Sequence, residues 1–215
     1  MNKFILMLIL SLASIPAMAN TSMWKFKVYL DEQEIGQHIF LVESHDNKKR
    51  VHSEASYDVR FLFFTAYRYR HVSEELWNDN CLSSIIANTN ANGDKQFVRG
   101  SIDTDKMRLT TSSGQEKLPA CIMTFAYWDP SILTATRLLN SQTGEYVPVE
   151  VEFIGNSEIN AKGIDISSKH YRLKLPKTSI DLWYSEDNQH WVGLSSQLEN
   201  GSILRYRLQP AGEML

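Results

Sequence analysis

Alternation of apolar and polar residues is the feature that most limits what this chain can fold into. Over residues 24–30 every second residue is apolar, and the same period of two returns over residues 51–59 and 147–153. Side chains of a β-strand point to opposite faces in turn, so this period predicts half-buried strands. The strands are separated by turn-forming residues, of which Asn92-Gly93 is the strongest hairpin signal.

About a dozen short strands at such spacing predict an all-β, antiparallel protein. A sheet with that many strands has to curl or close. We therefore expect a single, strongly curved sheet or an incomplete β-barrel with one short helix. Between the strands, residues 74–80 are predicted to form a connection in which Trp77 covers an edge, and residues 112–119 to form a loop.

One long stretch, residues 121–144, does not alternate, and we call it the central segment. It is predicted to cross or plug the β-structure. Pro130 suits the first turn of a helix, and Asp129 before it is a suitable N-cap. The predicted helix covers residues 130–139, and these apolar side chains are expected to face the sheet: Ile132, Leu133, Leu138 and Leu139.

The first residues are typical of a cleaved signal peptide. Lys3 supplies a positive charge, residues 4–15 are almost continuously apolar, and small residues precede Asn20. Cleavage between Ala19 and Asn20 is expected to leave 196 of the 215 residues as a single β domain, residues 20–215. The alternative of an uncleaved anchor is less favoured because the apolar run is shorter than the roughly 20 residues of a membrane-spanning helix.

The mature chain carries a formal charge of −4, because the leader removes one lysine and no acidic residue from a chain of net charge −3. Its basic residues are scattered, so no nucleic-acid partner is expected. Two cysteines, Cys81 and Cys121, lie 40 residues apart. In an oxidising compartment such a pair predicts a disulfide that stabilises the fold by about 4 kcal/mol.

Aromatic residues supply the best candidates for a ligand site. Tyr67, Tyr69 and His71 share one face of a predicted strand, while Tyr127 and Trp128 lie in the central segment. Rings with polar tips can line an apolar cavity in a curved sheet and orient a ligand. The alternative is an aromatic core, because a barrel of this size fills its interior with side chains.

Sequence motifs for catalysis or metal binding are absent. No G-x-S-x-G or glycine-rich phosphate loop occurs, and the six histidines are isolated from one another, so neither a cofactor nor a metal site is predicted. Glu74, Glu75 and Asp187 are interpreted as exposed charges. An enzyme using His71 or Asp129 as acid or base remains a third hypothesis.

Several blocks of residues resemble an exported bacterial family, domain-of-unknown-function family 6134. These blocks are Trp24-x-Phe-x-Val-x-Leu-Asp, Ile35-Gly36, Cys81-Leu82, Phe125-Ala126-Tyr127-Trp128, Leu138-Leu139-Asn140-x-Gln142-Thr143-Gly144 and Leu182-Trp183-Tyr184. A looser likeness runs to family 3108. The resemblance implies a periplasmic address in a Gram-negative cell and one domain, and it supplies no catalytic residue.

The leading functional hypothesis is a periplasmic protein that binds or carries an apolar ligand, such as a lipid or an acyl chain, without catalysis. Export without a transmembrane anchor, the aromatic strands and the central segment favour it. The alternative is an envelope protein that docks onto another protein through a sheet edge or an aromatic surface.

Overall fold

The structure is a computed structural model that describes residues 20–61 and 64–210. The predicted leader, residues 1–19 with the cleavage position after Ala19, lies outside the described residues, while Asn20 is the first residue of strand β1. The elements are β1 Asn20–Leu30, β2 Gln33–His45, β3 Lys48–Phe61, β4 Phe64–Asn78, β5 Cys81–Ala91, β6 Asp94–Asp103, β7 Lys106–Thr111, β8 Gly114–Pro119, a 3-10 helix Pro130–Thr134, β9 Arg137–Leu139, β10 Tyr146–Pro148, β11 Glu150–Ala161, β12 Ile164–Lys174, β13 Ser179–Ser185, β14 Trp191–Gln197 and β15 Ile203–Leu208.

Thirteen of these strands form one antiparallel sheet in the order β11-β12-β13-β14-β15-β1-β2-β3-β4-β5-β6-β7-β8. The two halves of the chain join in the middle of this sheet, where Phe26 of β1 pairs with Leu208 of β15. The outermost strands, β8 and β11, do not pair with each other, so the sheet is open. The predicted fold class, an all-β incomplete barrel of about a dozen antiparallel strands, is confirmed.

The sheet curls strongly at the β11 end. The amide of Lys162, between β11 and β12, donates to the carbonyl of Leu208 in β15 at 2.9 Å. Ile159 of β11 also reaches Gly193 of β14, although two strands separate them in the sheet, and a Cβ at position 193 would collide with it. Gly193 therefore allows the close approach by which the sheet folds onto itself.

The hairpin turns follow the chemistry of their residues. Asp31, Asp46, Asp79 and Asn92 all have a φ between +52° and +54°. Asp and Asn adopt this left-handed conformation more readily than most residues, which favours the tight turns that join antiparallel strands. The hairpin predicted from Asn92-Gly93 is confirmed, since it connects β5 to β6.

The predicted connection over residues 74–80 is wrong, because β4 continues to Asn78. A bulge between Leu76 and Trp77 shifts the register so that Trp77 pairs with Leu82, and its ring is buried in the core rather than covering an edge. The predicted loop over residues 112–119 is also wrong in part, since Gly114–Pro119 is β8. A mostly polar segment ending in proline suits this position because β8 is an edge strand.

The central segment lies against the inner face of the sheet. The carbonyl of Ile122 accepts a hydrogen bond from the amide of Leu82 at 2.9 Å, and the Tyr184 hydroxyl donates to the carbonyl of Tyr127 at 2.8 Å. These contacts reach β5 on one side and β13 on the other. The segment therefore spans the concave side of the sheet, as predicted.

The helix predicted over residues 130–139 is too long. Asp129 does act as its N-cap, accepting from the Ser131 amide at 3.0 Å, but the single 3-10 turn ends at Thr134. Residues 137–139 instead form β9, in which Leu139 pairs with Tyr146. Strand pairing and a bridge to Thr124 satisfy the backbone there, so no helix is needed to bury these leucines. The described part of the chain has no helix of the length and apolar character that would let it cross a membrane.

The predicted disulfide between Cys81 and Cys121 is present and ties the start of β5 to the start of the central segment. Replacing both cysteines by serine is expected to lower the free energy of unfolding by about 4 kcal/mol, because the unfolded chain regains the entropy of an open loop. Urea unfolding with and without reductant measures the loss. Reductant should destabilise the wild type and leave the double variant unaffected, whereas equal stability of the two oxidised proteins would contradict a stabilising role.

Candidate functional site

A cavity of about 730 Å³ lies between the inner face of the sheet and the central segment. Its volume falls within the range of pockets that hold small molecules, about 300–1,000 Å³. The wall is mostly apolar and comes from three parts of the chain: strands β1 to β4, the central segment, and β13, β15 and the loops that precede them. Apolar members of the wall include Leu30, Ile35, Phe40, Val51, Ala55, Val59, Ile180 and Leu204.

Strand β4 carries a row of polar groups along this cavity. Tyr67, Tyr69, His71, Ser73 and Glu75 occupy alternate positions, so all five face inward. Tyr67 is 39% exposed, whereas the other four are buried at 8% or less. Tyr67 therefore marks the mouth and Glu75 the inner end. The eight residue steps from Tyr67 to Glu75 span about 27 Å at the usual rise of a strand.

A second polar group links β2, β3 and β15 across the cavity. The hydroxyls of Tyr57 and Tyr206 are 2.5 Å apart, and Nδ1 of His38 lies 3.1 Å from the Tyr206 hydroxyl. Nε2 of His38 lies 2.8 Å from Oγ of Ser53. Burial, with a smaller contribution from His71, lowers the pKa of His38, and burial raises the pKa of Tyr57. These groups are therefore uncharged near neutral pH.

His71 is held between a strand and the central segment. Its Nδ1 lies 2.9 Å from Oγ1 of Thr89, and its Nε2 lies 3.4 Å from Oγ of Ser141. Burial lowers the pKa of His71 to about 4, so the ring is neutral near pH 7. The Tyr69 ring stacks on the rings of both His71, at 6.4 Å between centroids, and Tyr57, at 5.1 Å.

Trp128 and Asp129 anchor the central segment over the cavity. The Trp128 ring meets the ring of Trp77 edge-on at 5.5 Å, and Nζ of Lys49 lies 5.3 Å from its centroid. The same ammonium bonds to Oδ2 of Asp129 at 2.8 Å. Burial raises the pKa of Asp129, but hydrogen bonds from Lys49 and Ser131 outweigh it and hold that pKa below its usual value. Asp129 is thus an ionised anchor for the segment.

Glu75 is buried at the inner end of the cavity, and its interpretation as an exposed charge is wrong. Oε2 accepts hydrogen bonds from Nε1 of Trp77 at 2.9 Å and from Oγ1 of Thr124 at 3.3 Å. Burial raises the pKa of Glu75 to about 7, despite the opposing effect of these two bonds. The sequence does contain the signal that places it, because Glu75 shares the odd-numbered alternation of Tyr69 and His71, whereas Glu74 is exposed.

All five residues predicted to line a ligand site, Tyr67, Tyr69, His71, Tyr127 and Trp128, meet at this one cavity. Their contact with a ligand stays a prediction. Periodicity could not identify His38, Tyr57 and Tyr206 as part of the same wall, because the chain separates His38 from Tyr206 by 168 residues.

Not every aromatic residue of the strands faces the cavity. Trp183 does not line it and instead stacks on His170, with 4.5 Å between the ring centroids. Within residues 20–61 and 64–210, no group of three or more His, Cys, Asp or Glu side chains is arranged to hold a metal ion.

The ionisation of Glu75 should make the stability of the empty protein depend on pH. Its pKa rises from 4.5 to about 7 on folding, so its contribution is fully present below about pH 4.5 and is lost as the pH rises through about 7. Relative to Glu75→Gln, the wild type is expected to lose roughly 2–3 kcal/mol between about pH 5 and pH 8.

Urea unfolding of ligand-free protein at both pH values measures this difference. Glu54→Gln is the matched control, because Glu54 is exposed on the neighbouring strand β3. A wild type and a Glu75→Gln variant with the same pH dependence would show that Glu75 is not held in a low-dielectric site.

Comparisons with known proteins agree with the fold. The chain is similar to a crystal structure described as a beta-barrel-like protein of domain of unknown function DUF1849 from Brucella abortus. The TM-score is 0.62 at 8% sequence identity, with 91% of this chain and 97% of that chain covered. At this identity the similarity shows a shared fold alone.

A search of curated proteins gave no match. The sequence does match a family described as domain of unknown function DUF6134, over residues 26–209. That range includes all of the strands except the first residues of β1, together with the whole central segment. The chain therefore belongs to the family of domain of unknown function DUF6134.

Proposed function

We propose that this protein is a periplasmic, non-catalytic binder or carrier of an apolar ligand, such as a lipid or an acyl chain. The observation that carries the proposal is the cavity of about 730 Å³ between the sheet and the central segment. Exported residues 20–215 would form one β domain around it. The predicted signal peptide supports the periplasmic address.

The shape and polarity of the cavity suit a long, thin ligand. Most of the lining is apolar, and the row on β4 runs about 27 Å from Tyr67 to Glu75. An acyl chain lying along it would gain about 0.8 kcal/mol for each buried methylene, so about ten methylenes supply roughly 8 kcal/mol before the costs of association. Such a ligand needs no catalytic group to be held.

The mouth of the cavity offers apolar contacts from which a chain could enter. Tyr67 and Leu198 are each 39% exposed, and both also line the cavity. Leu30 of β1 and Leu204 of β15, which pair with each other, line the same cavity. We infer that the ligand enters at this end, because the inner end is covered by Trp128 and Trp77.

A docking protein of the envelope is the alternative. Val72, Leu76 and Ile86 form an exposed apolar group on the outer face of β4 and β5, with 38–54% of each residue exposed. A large outer patch without an internal cavity would favour docking. The cavity is present, so ligand binding is the better-supported function.

Hydrolysis of an ester is less supported by the geometry. Ser141 lies 3.4 Å from Nε2 of His71, which resembles a nucleophile and its base. The group on Nδ1 is the hydroxyl of Thr89 rather than a carboxylate, and burial opposes protonation of the ring. A histidinium formed by taking the serine proton would therefore have no counter-charge to stabilise it.

Filling the cavity should abolish binding. Ala55 lies on its wall in β3 and is 2% exposed, so Ala55→Phe places a ring inside. A neutral apolar dye that fluoresces on burial, N-phenyl-1-naphthylamine, is expected to bind the wild type at least about tenfold more tightly than this variant. Tyr69→Ala should also lower the affinity for the dye, because Tyr69 lines the same cavity.

The control is Glu54→Phe, which adds the same ring to the exposed side of β3 and should leave dye binding unchanged. Circular dichroism establishes that each variant is folded. Dye binding that survives Ala55→Phe and Tyr69→Ala but falls on changing the outer residues Leu76 and Ile86 would contradict an internal site.

A further inference from the structure

Glu75 carries the one carboxyl group on the wall of the cavity, within the part of the chain that the structure describes. It is 5% exposed, and its two protein hydrogen bonds both go to Oε2. Its other oxygen, Oε1, has no hydrogen-bond partner among the described residues. No fully buried side-chain oxygen or nitrogen there lacks a partner, so Oε1 is open to the cavity.

A buried carboxylate without a positive partner is costly, and proteins normally pair such a group or keep it protonated. Trp77 and Thr124 are neutral donors, and no described lysine, arginine or histidine forms an ion pair with Glu75. A ligand that brings its own donor to Oε1 would therefore complete the hydrogen bonding of this group.

No other charge near Glu75 changes this conclusion. On β4 its neighbour His71 is neutral, and on β2 His38 is kept neutral by burial. Lys49 of β3 is already paired with Asp129 of the central segment. An anionic head group at the inner end would meet an acidic side chain and find no cation to bind it.

Building on the proposed function, we propose that Glu75 is the head-group receptor of the cavity and selects amphiphiles whose inner end carries a hydrogen-bond donor. A primary amine is the strongest such donor because its charge assists the hydrogen bond, and a hydroxyl is the next. The apolar chain then runs along the wall toward Tyr67 and the mouth. Fatty acid anions are excluded from this orientation.

Three probes with the same apolar chain test the selection: dodecylamine, dodecanol and dodecanoic acid. Each displaces N-phenyl-1-naphthylamine from the wild type at about pH 8. The amine is expected to bind at least about tenfold more tightly than the acid, with the alcohol between them. Glu75→Gln should reduce the affinity for the amine by about tenfold while the dye still binds, and Glu54→Gln should change none of the affinities.

The wild type alone provides a second test that needs no variant. Lowering the pH from about 8 to about 5 protonates Glu75, whose pKa is about 7, while His71 with a pKa of about 4 stays neutral. The amine should then bind several-fold more weakly, whereas binding of the neutral dye and the alcohol should change little. This measurement decides the question even if Glu75→Gln does not fold.

The outcomes separate this inference from the function on which it rests. If neither the dye nor any probe binds the wild type, the binding function itself is wrong. A different result would contradict the inference alone: the three probes bind with equal affinity or the acid binds most tightly, and in either case the affinity for the amine does not fall at low pH. The cavity would then bind ligands, but Glu75 would not select their head groups.

Discussion

The attachment of the central segment across the concave face of the sheet is the constraint on which the rest of the structure depends. An open sheet of thirteen strands leaves an apolar inner face that has to be covered. The central segment is held at both sides. The disulfide at Cys121 and the hydrogen bond from Leu82 to Ile122 attach it to β5, and the hydrogen bond from Tyr184 to Tyr127 attaches it to β13. Because the central segment crosses the concave face of the sheet without filling it, a cavity remains between the segment and the sheet.

The chemistry of that cavity follows from burial acting on a few polar side chains. Low exposure keeps His38 and His71 neutral and raises the pKa of Glu75, so the wall offers hydrogen bonds but no cation. Apolar contact would supply most of the affinity for a long chain, whereas Glu75 would set the polarity of its inner end. The raised pKa of Glu75 predicts that the empty protein is less stable at high pH, and a ligand that binds only the folded protein would offset that loss.

Periodicity in the sequence was enough to predict the fold class and three residues of the cavity wall. The period of two on β4 correctly placed Tyr67, Tyr69 and His71 on one face, and Asp129 before Pro130 correctly marked a helix start. The sequence pattern did not predict where that helix ends, because the end is decided by the pairing of Leu139 with Tyr146 and by its bridge to Thr124. The interpretation of Glu75 as an exposed charge is wrong because its position in the alternation, rather than its charge, decides which face it occupies. The contacts of His38 with Tyr206 depend on the closing of β1 on β15, which no local pattern encodes.

The central claim is that the interior of this protein holds an apolar ligand. The most direct measurement is native mass spectrometry of the protein purified from its own cells, followed by solvent extraction of whatever it carries. If the cavity holds an apolar ligand, we expect a discrete added mass that extracts as a lipid. A bare protein mass, unchanged when lipids are added, would contradict the account and favour a protein partner.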